Sequence, residues 1–410
     1  MKTRSNIFNW VMYDFANSLV MIVFFLYFAQ WIVIDRGVSD LNFNLTFTIS
    51  AVMLLLTVPV TGTYLDRSWR RITGLRITTV MTALFYGICA WMAITNNNAA
   101  ALIFFTLGLY SYLLSFTFYT PLINDIAPPE RRGRISGYGI AANYLGQITG
   151  LIIALPFSTG AISLFGGAAR AETLLPGVIG FMILALPMLI FFKEPMKNKR
   201  EKIKLSQAIK ETFKETKFML RFSSVGFFLL SYFLFNDAIL TVVNNFPIFL
   251  EQVWRVSDTT KTYLLLAIMV TSAIGGTLSG HLADRWGHKK TMILVLIVWA
   301  LIFPMMGFIS YWPLFIAICI MMGLWFGANW AVSRSVMSYV SPQGKHNLSF
   351  AYYGLAERAS SFIGPLVWGG IVTGLITMGA YRYRIAMFSL AIFILLGLWA
   401  MSRVKSDRKN

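Results

Sequence analysis

The chain alternates long apolar stretches with short polar ones. Twelve stretches are long enough to cross a bilayer, which takes about 20 residues of helix. They cover 8–34, 43–65, 73–95, 99–124, 135–158, 173–192, 222–250, 261–282, 291–310, 312–340, 348–376 and 383–402. Lipid offers no partner to free backbone groups, so each stretch is expected to be a helix. The one substantial polar segment, 193–221, separates an N-terminal half, 1–192, from a C-terminal half, 222–410. Within it, Leu205, Ile209, Phe213 and Phe218 lie among Lys and Glu. That pattern fits an amphipathic helix on the inner leaflet or a solvated basic linker.

Charge adds topology. Of the 35 Lys and Arg, 27 fall on the side of the N-terminus, 6 on the opposite side, and Arg334 and Arg358 lie within spans. Positive charge marks the cytoplasmic face, so both termini and the 193–221 segment are expected there. An even number of spans follows. Only 13% of residues are charged, against roughly a quarter in a soluble domain. A net charge of +18 spread over short loops points to membrane topology rather than nucleic-acid binding. Lys2 and Arg4 precede an apolar run to Ile34 with no small-residue cleavage site, which reads as a retained first span. Cys89 and Cys319 lie inside spans and read as small hydrophobes, and His281, His288 and His346 have no ligand spacing. No metal or cofactor is expected.

The halves repeat. Gly62, Asp66, Arg67, Arg70 and Arg71 follow the second span, and Gly280, Asp284, Arg285, Lys289 and Lys290 follow the eighth, offset by 218 residues. Asp14 in the first span corresponds to Asp237 in the seventh, offset by 223. Duplicated halves around a midplane site are a common transporter plan. In the loop, Gly permits close helix approach, Asp pairs or caps, and the basic cluster holds the anionic leaflet.

The element G-x-x-x-D-R-x-x-(R/K)-(R/K) resembles the signature loop of the major facilitator superfamily. Tyr13 to Ser18, the block Asp125 to Gly137, Tyr232 to Asp237 and the stretch from Ser333 to Pro365 are similar to the vacuolar amino-acid effluxer family within it, including bacterial members. The resemblance implies an all-α membrane protein of twelve transmembrane helices in two pseudo-symmetric six-helix bundles. It also implies that spans 1, 4, 7 and 10 line a central cavity. Short loops favour a prokaryotic inner (plasma) membrane member.

A charge at mid-bilayer costs about 2.5–3.5 kcal/mol on insertion scales, so intramembrane charges should pair, face water or do work. Asp14, Asn17, Ser18 and Met21 share one face of the first span, and Asp237, Thr241, Asn244 and Asn245 one face of the seventh. Asp14 and Asp237 are expected to face each other across the pseudo-two-fold axis, or else to hold the halves together by pairing with basic residues. Asn17, Asn244, Asn245 and Asn329 would offer hydrogen bonds to substrate. Arg358, about 15 Å into its span, is a candidate for a substrate carboxylate or a partner of Asp237. Glu357 projects about 100° away from it, so direct pairing is not expected. Glu357 and Asp237 are candidates for proton coupling. Superfamily likeness pairs Arg334 with Asp284 in one gate state, as a latch broken when the halves rock, with no matching Arg in the fourth span. Gly62, Asp66, Arg67, Gly280, Asp284, Arg285 and Arg334 form the expected gating set.

The functional expectation is alternating-access transport of a small solute, an amino acid or similar zwitterion, by a monomer, with efflux favoured by family likeness. The alternatives are a lipid or amphiphile flippase of the same fold and a non-transporting membrane sensor or scaffold. No nucleophile–base pair, metal set or P-loop is present in the sequence, which excludes an ATP-driven pump and argues against an enzyme.

Overall fold

The computed structural model describes residues 2–68, 70–127, 129–194, 214, 223–342 and 346–405, with the side chains of 2–4, 59–68, 124, 129–130, 132–134, 223 and 346–348 left aside. The expected Gly62, Asp66 and Arg67 side chains, and nearly all of the 193–221 linker, therefore lie outside the described residues.

The described chain is all helical. The main helices are α1 (Lys2–Val23), α2 (Asp40–Ser68), α3 (Arg71–Ile94), α4 (Asn98–Tyr119), α5 (Pro129–Ser158), α6 (Leu174–Phe191), α7 (Ser223–Trp254), α8 (Asp258–Trp286), α9 (His288–Phe308), α10 (Trp312–Val340), α11 (His346–Ala359), α12 (Gly364–Gly374) and α13 (Tyr381–Ser402). Eleven of the described helical segments are long and apolar enough to cross a membrane. The expected eleventh span, 348–376, is not one of them. It is divided into α11 of 14 residues and α12 of 11, each short of the length a spanning helix needs. The first span also departs from a plain α-helix, continuing beyond α1 as π-helical turns at Phe24–Phe28 and Trp31–Asp35.

The chain forms two compact units, one of Met1–Val38 with Val52–Thr212, the other of Ser39–Ala51 with Phe213–Asn410. The expected halves break at the linker alone. The difference is the N-terminal part of α2, which belongs to the second unit. The Leu41 amide donates to Thr373 Oγ1 at 3.2 Å, Thr48 Oγ1 donates to the Phe362 carbonyl at 2.9 Å, and the Tyr383 hydroxyl donates to Asp40 at 3.1 Å.

In the first unit, Tyr13 shares a 2.7 Å hydrogen bond with Thr79, and the Tyr119 hydroxyl donates to the Trp10 carbonyl at 2.9 Å. Phe24, Tyr86, Phe105 and Phe28 stack into one aromatic core. The loop after α5 turns around a carboxylate. Glu172, 1% exposed, accepts from the amides of Leu164, Phe165 and Gly167 and from the Ser163 hydroxyl. In the second unit, α8 packs on α10 so closely that a Cβ on Gly327 would collide with the Ser272 carbonyl. Small residues are what allow such backbone approach in lipid, where van der Waals packing drives association. Arg384 donates to the carbonyls of Gly307 and Ile309 at 2.9 and 2.7 Å, closing the C-terminal end of α9.

Candidate functional site

The second unit holds most of the singled-out polar groups. Asp237 is fully buried on α7, and its partners are backbone amides. Oδ1 accepts from Phe362 at 3.0 Å, and Oδ2 accepts from Ile363 at 3.1 Å and Gly364 at 2.7 Å. These are the N–H groups that the start of α12 leaves without intrahelical acceptors. The carboxylate thus takes neither of the partners expected for it, a basic side chain or Arg358. A helix N-terminus carries partial positive charge and exposed donors, and it satisfies the anion by itself. Thr241 donates to the Asp237 carbonyl at 2.7 Å.

The rest of the α7 face is similarly engaged. Asn245 donates to Asn44 Oδ1 at 2.8 Å and to the Thr241 carbonyl at 2.9 Å, and accepts from Asn44 Nδ2 at 2.9 Å. Asn244 is buried, 2% exposed. The stripe read as solute-facing is largely occupied by α2 and by the break between α11 and α12.

A second cluster lies one layer toward the N-terminal end of α7. Tyr232 on α7 contacts Tyr353 on α11, ring centroids 4.5 Å apart, and the Tyr353 hydroxyl shares a 3.0 Å hydrogen bond with Ser333 on α10. One helical turn outward on each helix come Asn236, Glu357 and Asn329. Asn236 Nδ2 donates to the Glu357 carbonyl at 3.3 Å. Asn236 Oδ1 and both amide atoms of Asn329 are buried and have no hydrogen-bond partner among the described residues. Such groups normally cost free energy unless something bonds them. The charges acting on the Glu357 carboxylate are the guanidiniums of Arg334 and Arg358. Arg358 folds back along α11, its Nη1 3.7 Å from where a Gly354 Cβ would sit. Arg334 is exposed, whereas Glu357 and Arg358 are half-buried. Two cations and one anion, Arg334, Arg358 and Glu357, thus lie on α10 and α11 near the unpartnered amide atoms.

The described members of the gating set stand at the end of α8 and on α10. Asp284 and Arg285 are exposed at the end of α8, and Asp284 forms no ion pair with Arg334 among the described residues. Arg334 is exposed on α10 one residue after Ser333, whose hydroxyl bonds Tyr353 of α11. The loop after α8 reaches α10 through His288, whose Nδ1 is 2.7 Å from Ser335 Oγ. Gly280 was expected to permit close approach, yet a Cβ there would meet nothing within 4 Å. Gly287, at φ +95°, is the residue whose backbone the turn between α8 and α9 requires. In the first unit the sense of charge is reversed. Arg71 of the loop pairs with Asp125, beyond α4, at 3.4 Å.

Asp14 and Asn17 stand in the first unit. Asp14 is half-buried, with Oδ2 3.1 Å from where a Gly139 Cβ would sit, and Asn17 is 1% exposed. Asn44, Asn236, Tyr232 and Tyr353 were not picked out as site residues. A signal existed for Asn44 and Asn236, which are polar side chains inside apolar runs.

Against this geometry, the sequence matches the family described as "Vacuole effluxer Atg22 like" over residues 42–410. The chain belongs to that family. This Atg22-like protein is a multi-pass membrane transporter of the major facilitator type, not an enzyme. It is 23% identical over 428 residues to the uncharacterized MFS-type transporter YxiO of Bacillus subtilis, covering 97% of this chain and 94% of that one. It is 23% identical over 414 residues to a Lactococcus lactis homologue of the multi-drug resistance efflux pump PmrA, covering 96% and 93%. Autophagy-related protein 22 of Kluyveromyces lactis is 24% identical over 185 residues, 42% of this chain and 37% of that protein. Among solved structures, the nucleoside transporter NupG shares the fold with a TM-score of 0.71 at 14% identity, covering 98% of this chain and 100% of that one. An inward-facing, unoccupied bacterial homologue of the human lysosomal transporter Spinster gives 0.74 at 14%, covering 98% of each.

Proposed function

We propose that this transporter exports a small zwitterion of the amino-acid class in exchange for protons, at the cluster of Arg334, Glu357, Arg358, Asn236 and Asn329. The observation that supports the reading is a set of buried, unpartnered amide atoms, Asn236 Oδ1 and both of Asn329, beside the turn of α11 that carries Glu357 and Arg358. A zwitterion offers complementary groups. Its carboxylate fits the guanidiniums, which bind carboxylates in a bidentate manner. Its ammonium fits Glu357 and the amide oxygens of Asn236 and Asn329. Competition between ammonium and proton for Glu357 is the elementary requirement for exchange, since the two are then carried in opposite directions. An inward proton gradient would drive efflux. The placement proposed is a prokaryotic plasma membrane with both termini cytoplasmic, on the distribution of Lys and Arg.

The test uses purified transporter in proteoliposomes preloaded with labelled neutral amino acids under an imposed pH gradient. Amino acids should move, and their decarboxylated amines and deaminated acids should not. R358A should raise KM by about tenfold or more, the loss of a charge-assisted contact. E357Q should keep solute–solute exchange while losing the response to pH. Movement of amines and acids as readily as of zwitterions, or an unaltered pH response in E357Q, would overturn the reading. Scrambling of labelled phospholipid in the same vesicles would replace it with the lipid one.

A further inference from the structure

Between α11 and α12, Ser360 to Ile363 carry non-helical backbone inside a membrane-spanning segment. Such backbone is tolerated at depth only where its polar groups are satisfied by protein or water. Here, side chains do it. The three amides go to Asp237. The Phe362 carbonyl accepts from Thr48, the Glu357 carbonyl from Asn236 and the Ala356 carbonyl from Ser360. Gly364 closes the contact. A Cβ there would collide with Thr241 Oγ1 and lie 3.1 Å from Asp237 Oδ1.

We infer that Asp237 is a positioning residue that pins the eleventh span in its broken form, and so fixes where Glu357 and Arg358 stand. The argument runs through the chain. Glu357 and Arg358 occupy the last turn of α11, two and one residues before its end. If the three amides lose their anion, continuing the helix through 360–363 satisfies them, because each then finds an acceptor four residues back, with a kink where Pro365 has no N–H to give. Every added helical residue turns the chain by about 100°. Re-forming the break would therefore swing α12 about the helix axis relative to the last turn of α11, and pull the Glu357 carbonyl away from Asn236. The pin acts through position, not through contact with the solute.

The experiment measures geometry and transport separately. Spin labels at Phe350→Cys and Ile376→Cys, both exposed positions, report the distance across the break in purified protein without solute. The wild-type background should give a narrow distribution, and D237A a broad or shifted one. D237N should fall between the two, since its amide oxygen still accepts while its nitrogen faces an N–H donor. In transport, D237A should lose about tenfold or more in turnover with KM changed by about twofold or less, and D237N should recover part of the rate. G364A provides the same test from the other side of the contact if D237A yields no folded protein. An unchanged distance in D237A or G364A would overturn the inference. So would a D237N variant whose loss lies mainly in KM, the sign of a solute contact. Only the transport arm rests on the zwitterion reading; the distances stand whatever the solute.

Discussion

Asn44 and Asn245 exchange their side-chain amides, Nδ2 to Oδ1 in each direction, at 2.9 and 2.8 Å. Both are buried, and each leaves its partner little capacity for a third molecule. A residue expected to greet solute is thereby accounted for by structure.

The reciprocal pair predicts a pattern of stabilities. N44A or N245A should each cost about 1 kcal/mol, because the surviving amide is left buried without its partner. N44L/N245L should recover most of that loss, since removing both polar groups removes the desolvation penalty. Thermal unfolding in detergent reads the order directly. A double variant no better than the singles contradicts it, and KM for the transported solute should stay within about twofold of wild type in N245A.

Gly327 makes a steric prediction. Its neighbour is the Ser272 carbonyl, backbone rather than a yielding side chain. G327A should cost about 1–3 kcal/mol, the range for overpacking, and lower the yield of monodisperse protein. G280A, where a Cβ meets open space, should be neutral by the same measurement, although both glycines lie in the same pair of packed helices.

Glu172 predicts local disorder without loss of fold. Its carboxylate gathers three amides and a hydroxyl from residues 163–167. E172A should lower the midpoint of thermal unfolding by a few degrees, about what a lost local network costs. It should also open the Leu164–Phe165 segment to limited proteolysis. E172Q should be intermediate, as an amide oxygen accepts fewer of these bonds and its nitrogen opposes an amide. Equal resistance of E172A and wild type to protease would contradict the role.

Transport chemistry predicts a division among the charged residues. R358A and E357Q should alter affinity and proton response respectively, whereas D125N should leave both unchanged. Arg71 and Asp125 lie 3.4 Å apart with side chains 15% and 16% exposed. Breaking a pair this far from solvent costs stability rather than solute affinity. Proteoliposome KM and pH profiles separate these outcomes.

Much of the fold was legible because burial in lipid is written in composition. The ends of most spans fall within a few residues of the expected ones, as at Trp312–Val340 and Tyr381–Ser402. The division of the eleventh span was missed because apolarity does not report backbone continuity. Ser360 and Ser361 followed by Gly364 and Pro365 were the available hint, as Pro favours the first turn of a new helix. The site was less legible. Asp237 is conspicuous as a charge, but sequence spacing cannot say that its partners are main-chain amides 125 to 127 residues away. The unpartnered amides of Asn236 and Asn329 were hidden for a related reason. Which partners a side chain meets depends on helix packing that no local pattern encodes.

The broken span also bears on how the chain is made. Neither α11 nor α12 is long enough to partition into a bilayer alone during translation. Asp237, synthesised more than a hundred residues earlier, must wait in the ribosome's wake until both pieces emerge. The carboxylate gains its three donors only with residues 362–364, so a chain ending before Phe362 would hold Asp237 without them.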